Sequence, residues 1–169
     1  MTARYETARR AVCCLLVDSN GRILGVSRGA DTEEFGMPGG KVEPNETLEV
    51  AAVRETFEET GYVIAAPQAV YTAFVPGETN FICTTFVAQV VAAAPDAPRS
   101  VPFEGVVAWV NPLVLANGPF AEYNRALFDH LNITWRHEHQ ERRWKREIEE
   151  ILREDRRRGV ASPRPGEKF

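Results

Sequence analysis

The sequence predicts an α/β domain followed by a charged helical extension, and three observations carry that prediction. Short apolar runs bounded by Gly, Pro, Asn and Asp recur along the chain, at 11–17, 22–27, 68–75, 81–91 and 106–110. Two segments of helical composition, 47–60 and 120–131, interrupt or follow them. From Arg136 onward the composition changes to dense charge.

Taken in order, the run at 11–17 leads through Asp18-Ser19-Asn20-Gly21 into the run at 22–27. Asn-Gly between two such runs predicts a hairpin, since a type I′ turn needs positive φ at both central positions. The glycine-rich stretch Phe35-Gly36-Met37-Pro38-Gly39-Gly40 reads as a loop, and the helix over 47–60 is stopped by Gly61. Strands at 68–75 and 81–91 are joined by the turn Pro76-Gly77-Glu78-Thr79-Asn80, and the two prolines of 92–100 mark a loop. After the strand at 106–110, Tyr123, Leu127 and Leu131 recur every fourth residue through a second helix over 120–131. In the charged segment 136–158, Glu138–Arg142, Glu141–Lys145 and Glu149–Arg153 stand at i,i+4 spacing, and Trp144, Ile148, Ile151 and Leu152 form a narrow apolar stripe. Residues 162–169 bear Pro and Gly and read as a disordered tail. The organisation expected is therefore a domain over 1–131, a helical extension over 132–160 and a tail over 161–169.

With 44% apolar residues in 169, the chain can bury a core. A net charge of −4 supplies no field for a nucleic-acid polymer or an anionic membrane, and no apolar stretch is long enough to span one. The opening residues are polar and lack a signal core. Cys13 and Cys14 are adjacent on a strand, so they face opposite ways and make a poor disulfide framework with Cys83. Buried, reduced thiols and a cytoplasmic location are the expectation.

The chemistry concentrates in residues 39–62, GGKVEPNETLEVAAVRETFEETGY. On a helix Glu55, Glu58 and Glu59 fall within an arc of about 100°. Ala51 and Ala52 flank that arc and leave space beside the acids, while Val50, Val53 and Phe57 can anchor the opposite side to a core. Three carboxylates so close repel one another, and a hard divalent cation relieves the repulsion, as Mg²⁺ does when held by carboxylates and substrate phosphates. Arg54 stands one turn before Glu58, placed to orient it. Gly39 and Gly40 let the backbone approach a metal or phosphate, and Lys41 sets a cation beside any phosphate there.

Gly40, five residues, Glu46, seven residues, Arg54-Glu55, two residues, Glu58-Glu59, one residue and Gly61 resemble the Nudix signature at each of its seven fixed positions. Thr56 stands where that family usually has an aliphatic residue, and Tyr62 fills the other aliphatic position. The resemblance covers the order of elements from about Arg9 to Leu131 and stops before the charged segment. It implies an α/β/α sandwich around a mixed, curved sheet. It also implies that Glu58, Glu59 and the Gly39 carbonyl hold Mg²⁺, with Mn²⁺ as an alternative, and that Glu55 is a further ligand or the general base. Arg54 would orient the acids and Glu46 would brace the loop. An acid from outside the signature often joins such sites; Glu104 is the first candidate and Glu78 the second.

The implied activity is hydrolysis of a phosphoanhydride in a nucleoside diphosphate linked to another group. A nucleoside triphosphate, ADP-ribose and a dinucleoside polyphosphate all remain open. Pro76, fourteen residues after Tyr62, falls near the proline of ADP-ribose-cleaving members, and no tyrosine of the dinucleoside type lies between Asn80 and Val91. Phe35, Phe74, Phe81, Phe103 and Trp109 could stack on a base or pack in the core. The alternatives are a catalytically idle nucleotide-sensing or protein-binding module, an assembly device using Trp135 and Trp144, and a prenyl diphosphate isomerase. The last would need a catalytic cysteine and metal-binding histidines, and all three histidines lie at His130 or beyond. A homodimer through the sheet or the C-terminal helix is left open.

Overall fold

The computed structural model describes residues 7–28, 34–93, 104–135 and 153. In chain order the elements are β1 (Arg9–Leu15), β2 (Ile23–Arg28), β3 (Phe35–Gly36), β4 (Gly39–Lys41), α1 (Leu48–Thr60), β5 (Tyr62–Val75), β6 (Phe81–Ala93), β7 (Glu104–Val110), α2 (Pro112–Ala116) and α3 (Ala121–His130). They divide between two compact units, residues 1–16 with 37–100 and residues 17–36 with 101–169.

The first unit is a four-stranded sheet ordered β4-β1-β6-β5 with α1 against it. β1 runs parallel to β6 and antiparallel to β4, so the sheet is mixed, as expected. β1 is central and reads VCCL where it is buried, Val12 to Leu15, which suits a strand covered on both faces. β5 and β6 form a long antiparallel hairpin whose register shifts at Val63/Ile64, Ala65/Gln68 and Ala69/Tyr71. Ala66, with φ of 50°, and Pro67 sit in the second of these irregularities. β5 thus begins directly after Gly61, earlier than the 68–75 expected, because bulges absorb the residues that break its alternation. β6 likewise continues through Ala93; residues 94–100 of the loop read there lie outside the described residues.

The second unit is a three-stranded sheet ordered β3-β2-β7 with α2 and α3. Ile23, Leu24, Val26, Phe35, Leu115, Leu127 and Phe128 form its core. Asn111 caps α2 by accepting from the Leu113 amide at 2.9 Å, and Pro112 occupies the first helical position. This helix has no signature in the sequence pattern beyond the Asn-Pro start signal, because five residues are too few to show a period. Trp135, one of the two tryptophans of the assembly alternative, donates from Nε1 to Asp129 at 2.9 Å and lies 5.5 Å beneath the Arg125 guanidinium.

The expected hairpin of 11–17 with 22–27 is corrected. β1 and β2 belong to different sheets, and the one bridge near the turn is Val17 with Ile23. The turn itself exists: Asp18 Oδ1 accepts from the Asn20 and Arg22 amides at 2.8 and 2.9 Å. Gly21 has φ of 74° while Asn20 does not have positive φ, so the geometry is not type I′ and does not carry a two-stranded ladder onward. The glycine-rich stretch is corrected too, since it contains β3 and β4. No helix among the described residues is long and apolar enough to cross a membrane. Apart from Arg153, the charged segment and tail lie outside the described residues.

Candidate active site

α1 starts where Thr47 Oγ1 accepts from the Val50 amide at 3.2 Å, and ends at Gly61, φ 73°, whose amide donates to the Phe57 carbonyl at 2.8 Å. Its buried face differs from the one expected. Ala51 and Ala52 are inaccessible to solvent, with Thr56, Glu59 and Thr60 buried beside them, whereas Val50 and Phe57 are about half exposed. Small side chains therefore bring the helix down onto the sheet, close enough for the Cys14 thiol to reach the Ala52 carbonyl at 3.6 Å. Burial pushes that thiol up to about 11. The alanines make the close approach; they do not leave room beside the acids.

Seating α1 this way turns its acids toward β4 and the loop that follows. Arg54 is the centre of the network. Its Nε and Nη2 fork onto Glu46 at 2.7 and 2.8 Å, a bidentate geometry. Nη1 donates to Glu55 at 2.9 Å and to Glu58 at 3.1 Å, and Nη2 also reaches the Lys41 carbonyl at 3.2 Å. Glu46 additionally accepts from the Glu43 amide at 3.0 Å. The Arg54 hydrogen bonds hold the Glu46 carboxyl below its ordinary range, and Glu46 in turn leads in raising the Arg54 guanidinium further above its own. Glu59 is nearly buried, 5% exposed, and its Oε2 accepts from the Gly39 amide at 2.8 Å.

The two glycines are required by space. A Cβ on Gly40 would land on the Glu55 carboxylate, and one on Gly39 would overlap the Val12 carbonyl and come within 2.6 Å of Cys13 Cα. β4 can lie this close to Glu55 only with glycine at position 40, and this close to β1 only with glycine at position 39. Lys41 follows on the exposed end of β4.

The structure thus brings Gly39, Gly40, Glu46, Arg54, Glu55, Glu58 and Glu59 into one cluster. Glu78 lies exposed in the β5–β6 loop, and no contact to the cluster is seen. Glu104 opens β7, and its side chain lies outside the described residues. Phe35 is core, Phe74, Phe81 and Trp109 are half-buried, and Phe103 lies outside the described residues. The contacts of Arg54 with the Lys41 carbonyl and of Glu46 with the Glu43 amide went unseen in the sequence, because residue spacing carries no signal for backbone acceptors and donors.

Electrostatically the cluster sets four carboxylates, Glu46, Glu55, Glu58 and Glu59, against the Arg54 guanidinium. The excess is negative and lined by oxygen, the donor type that a hard divalent cation takes. Among the described residues no three acid, His or Cys side chains already converge on a metal position. Glu55 and Glu58 are turned to Arg54, and Glu59 to the Gly39 amide.

Residues 7–131 match the family model for the NUDIX domain. The chain belongs to the Nudix family of hydrolases. Solved Nudix structures share its fold: a MutT protein from Methanosarcina mazei Go1 superposes with a TM-score of 0.59 at 24% identity, over 75% of this chain and 96% of that one. A MutT NUDIX hydrolase from Burkholderia pseudomallei gives 0.60 at 22% identity, over 73% and 98%. A NUDIX hydrolase from Nitrosomonas europaea gives 0.55 at 20% identity, over 96% and 97%. In sequence, 48 residues are 46% identical to a protein of Bacillus subtilis (strain 168) named for an 8-oxo-dGTP diphosphatase activity. That match spans 28% of this chain and 32% of the relative. Nudix hydrolases generally use divalent metal ions, and the oxygen-rich, net-negative cluster fits such an ion.

Proposed function

We propose that the chain hydrolyses a phosphoanhydride bond in a nucleoside diphosphate linked to a further group, in a reaction that depends on Mg²⁺ or Mn²⁺. The observation that carries this reading is the cluster of Glu55, Glu58 and Glu59 on one helix, supported by Arg54 and opposed to the glycine backbone of β4. Glu58, Glu59, Glu55 and the Gly39 carbonyl would hold the ion, which when bound neutralises phosphate charge and activates water. Arg54 fixes the rotamers of Glu55 and Glu58 before substrate arrives, and Glu46 fixes Arg54. Lys41 binds an outer phosphate of the substrate. Glu55, or Glu104 from β7, accepts the proton of the water that attacks phosphorus in line with the departing phosphate. Residues 1–131 form the hydrolase domain in this reading, and 132–160 an extension to it.

The substrate is a nucleotide small molecule. The name of the Bacillus relative puts oxidised purine nucleoside triphosphates first among those to try, ahead of ADP-ribose and dinucleoside polyphosphates. Release of phosphate or pyrophosphate from such a panel, with Mg²⁺ and with Mn²⁺, tests the proposal. Turnover of at least one member is expected, with Glu58→Gln lowering it by about 10²-fold or more, the scale of losing one preorganised charged group. No turnover on any member, or an unchanged rate in Glu58→Gln, overturns it.

A further inference from the structure

We infer that Cys13 and Cys83 are an oxidant-sensitive dithiol, a modification site that a hydroperoxide closes into an intrachain disulfide with consequences for the Gly39 strand. The two sulfurs are 3.9 Å apart, and Cys13 also contacts Thr85 Oγ1 at 3.1 Å. The parallel register of β1 and β6 explains the meeting: Ala11 pairs with Cys83 and Cys13 with Thr85, so both thiols project from one face, offset by a pleat. Cys14 belongs to the other face, toward α1 and the Ala52 carbonyl, and takes no part. Cys13 is buried and Cys83 half-buried, so a small oxidant reaches the pair through Cys83.

The chemistry closes without further reagents. Peroxide oxygen transfers to the Cys83 thiol, giving a sulfenic acid and the alcohol or water from the cleaved O–O bond. The Cys13 sulfur then attacks the Cys83 sulfur, forming the S–S bond and expelling water. Two electrons pass from the two thiols to one peroxide. A thiol reductant reverses the bond by exchange.

Closure has a structural cost that the site would register. A disulfide needs about 2.05 Å between sulfurs, and residues offset by a pleat are wider apart than directly opposed ones, so the backbone of β1 or β6 must move. Cys13 is directly opposite Gly39, and its Cα and Cβ fill the space a Gly39 side chain would occupy. The Gly39 amide in turn holds Glu59. A shift at Cys13 therefore passes to Gly39 by contact and from there to Glu59. The effect on turnover rests on the hydrolase reading, so the decisive readouts are thiol content and amide exchange, which need no turnover.

The full chain is treated with hydrogen peroxide and, separately, with the dithiol oxidant diamide. Titratable thiols are expected to fall from three to one, with full recovery in dithiothreitol and a proteolytic fragment joining Cys13 to Cys83. The mass of the intact chain falls by about 2 Da, the two thiol hydrogens. Amide exchange at Gly39 to Lys41 is expected to speed up in the oxidised form. The Cys83→Ser variant should keep its two thiols under the same treatment, and Cys14→Ser should still form the bridge. Failure to recover the Cys13–Cys83 fragment, or oxidation that stops at sulfinic acid or links separate chains, overturns the site. A bridge that leaves exchange at Gly39 to Lys41 unchanged overturns its coupling to the acid cluster.

Discussion

Gly40 shows how one missing methyl group sets the geometry of the acids. Its Cβ position is taken by the Glu55 carboxylate, so Gly40→Ala must displace that carboxylate from the place where Arg54 holds it. A fall in turnover of at least about tenfold with a nearly unchanged denaturation midpoint is expected, and equal turnover would show that Glu55 is not needed where it stands. Gly39→Ala differs because it meets backbone, the Val12 carbonyl and Cys13 Cα, and should cost about 1–3 kcal/mol in urea unfolding. Glu46 gives a pH signature. Its carboxyl is held below its ordinary range by Arg54, so the folded chain binds that proton less readily than the unfolded chain. The pair's stabilisation is present above the ordinary carboxylate value of about 4.3 and is lost as pH falls through the lowered folded value. Glu46→Gln should therefore lower stability at pH 7 and approach the parent as unfolding is measured at progressively lower pH. The identities of these residues were legible in the sequence, since Gly40, Glu46, Arg54, Glu55, Glu58 and Glu59 hold fixed spacings. Their partners were not, because Arg54 to the Lys41 carbonyl and Glu59 to the Gly39 amide are side-chain-to-backbone contacts set by how closely α1 approaches β4.

At the scale of the element, the ends of α1 are legible in the sequence and its buried face is not. Gly61 marks its end as the structure has it, because a cap is local chemistry, while Thr47, taken in the sequence as the first helical residue, is the cap before Leu48. Its buried side was misjudged: Val50 and Phe57 outrank Ala51 and Ala52 in hydrophobicity, yet distance to the sheet decides burial, and only alanine fits there. Ala52→Leu should accordingly destabilise by about 1–3 kcal/mol in denaturant melts, whereas Phe57→Ser should stay within about 0.5 kcal/mol. The reverse ranking would return the helix to the orientation expected from hydrophobicity alone. β1 and β2 teach a related lesson. Asp18 to Arg22 forms a real turn, but a turn fixes only its own residues, and pairing was decided by the separate partners β4, β6 and β7.

For the whole molecule, a bound divalent ion links site and stability. Because the acids assemble only in the folded chain, millimolar Mg²⁺ should raise the melting temperature above that in chelator, by roughly 2–4 °C for each kcal/mol of binding. Scanning calorimetry in the two buffers checks this, and identical curves would argue against ion binding in the absence of substrate. The extent of the domain is testable as well. Trp135 is fastened to Asp129 and Arg125 within its unit, so a chain ended after Trp135 should keep cooperative unfolding and turnover, while one ended at Leu131 should lose stability. The order of most elements was legible at this scale because apolar runs and turns recur in sequence, and the mixed sheet was implied by the resemblance to the Nudix signature; the division into two sheets was not legible, since it depends on pairings between distant segments.

The broken register of β5 bears on behaviour at high concentration. Among the described residues β5 is the outer strand of its sheet, and an outer strand of fourteen residues offers a long row of backbone donors and acceptors to any passing chain. Three register shifts, Ala66 in left-handed backbone and Pro67 without an amide hydrogen interrupt that row, so no long uniform stretch remains for a foreign strand to zip onto. The irregularity that hid the first half of the strand from its sequence pattern is thus also a guard against fibrous association.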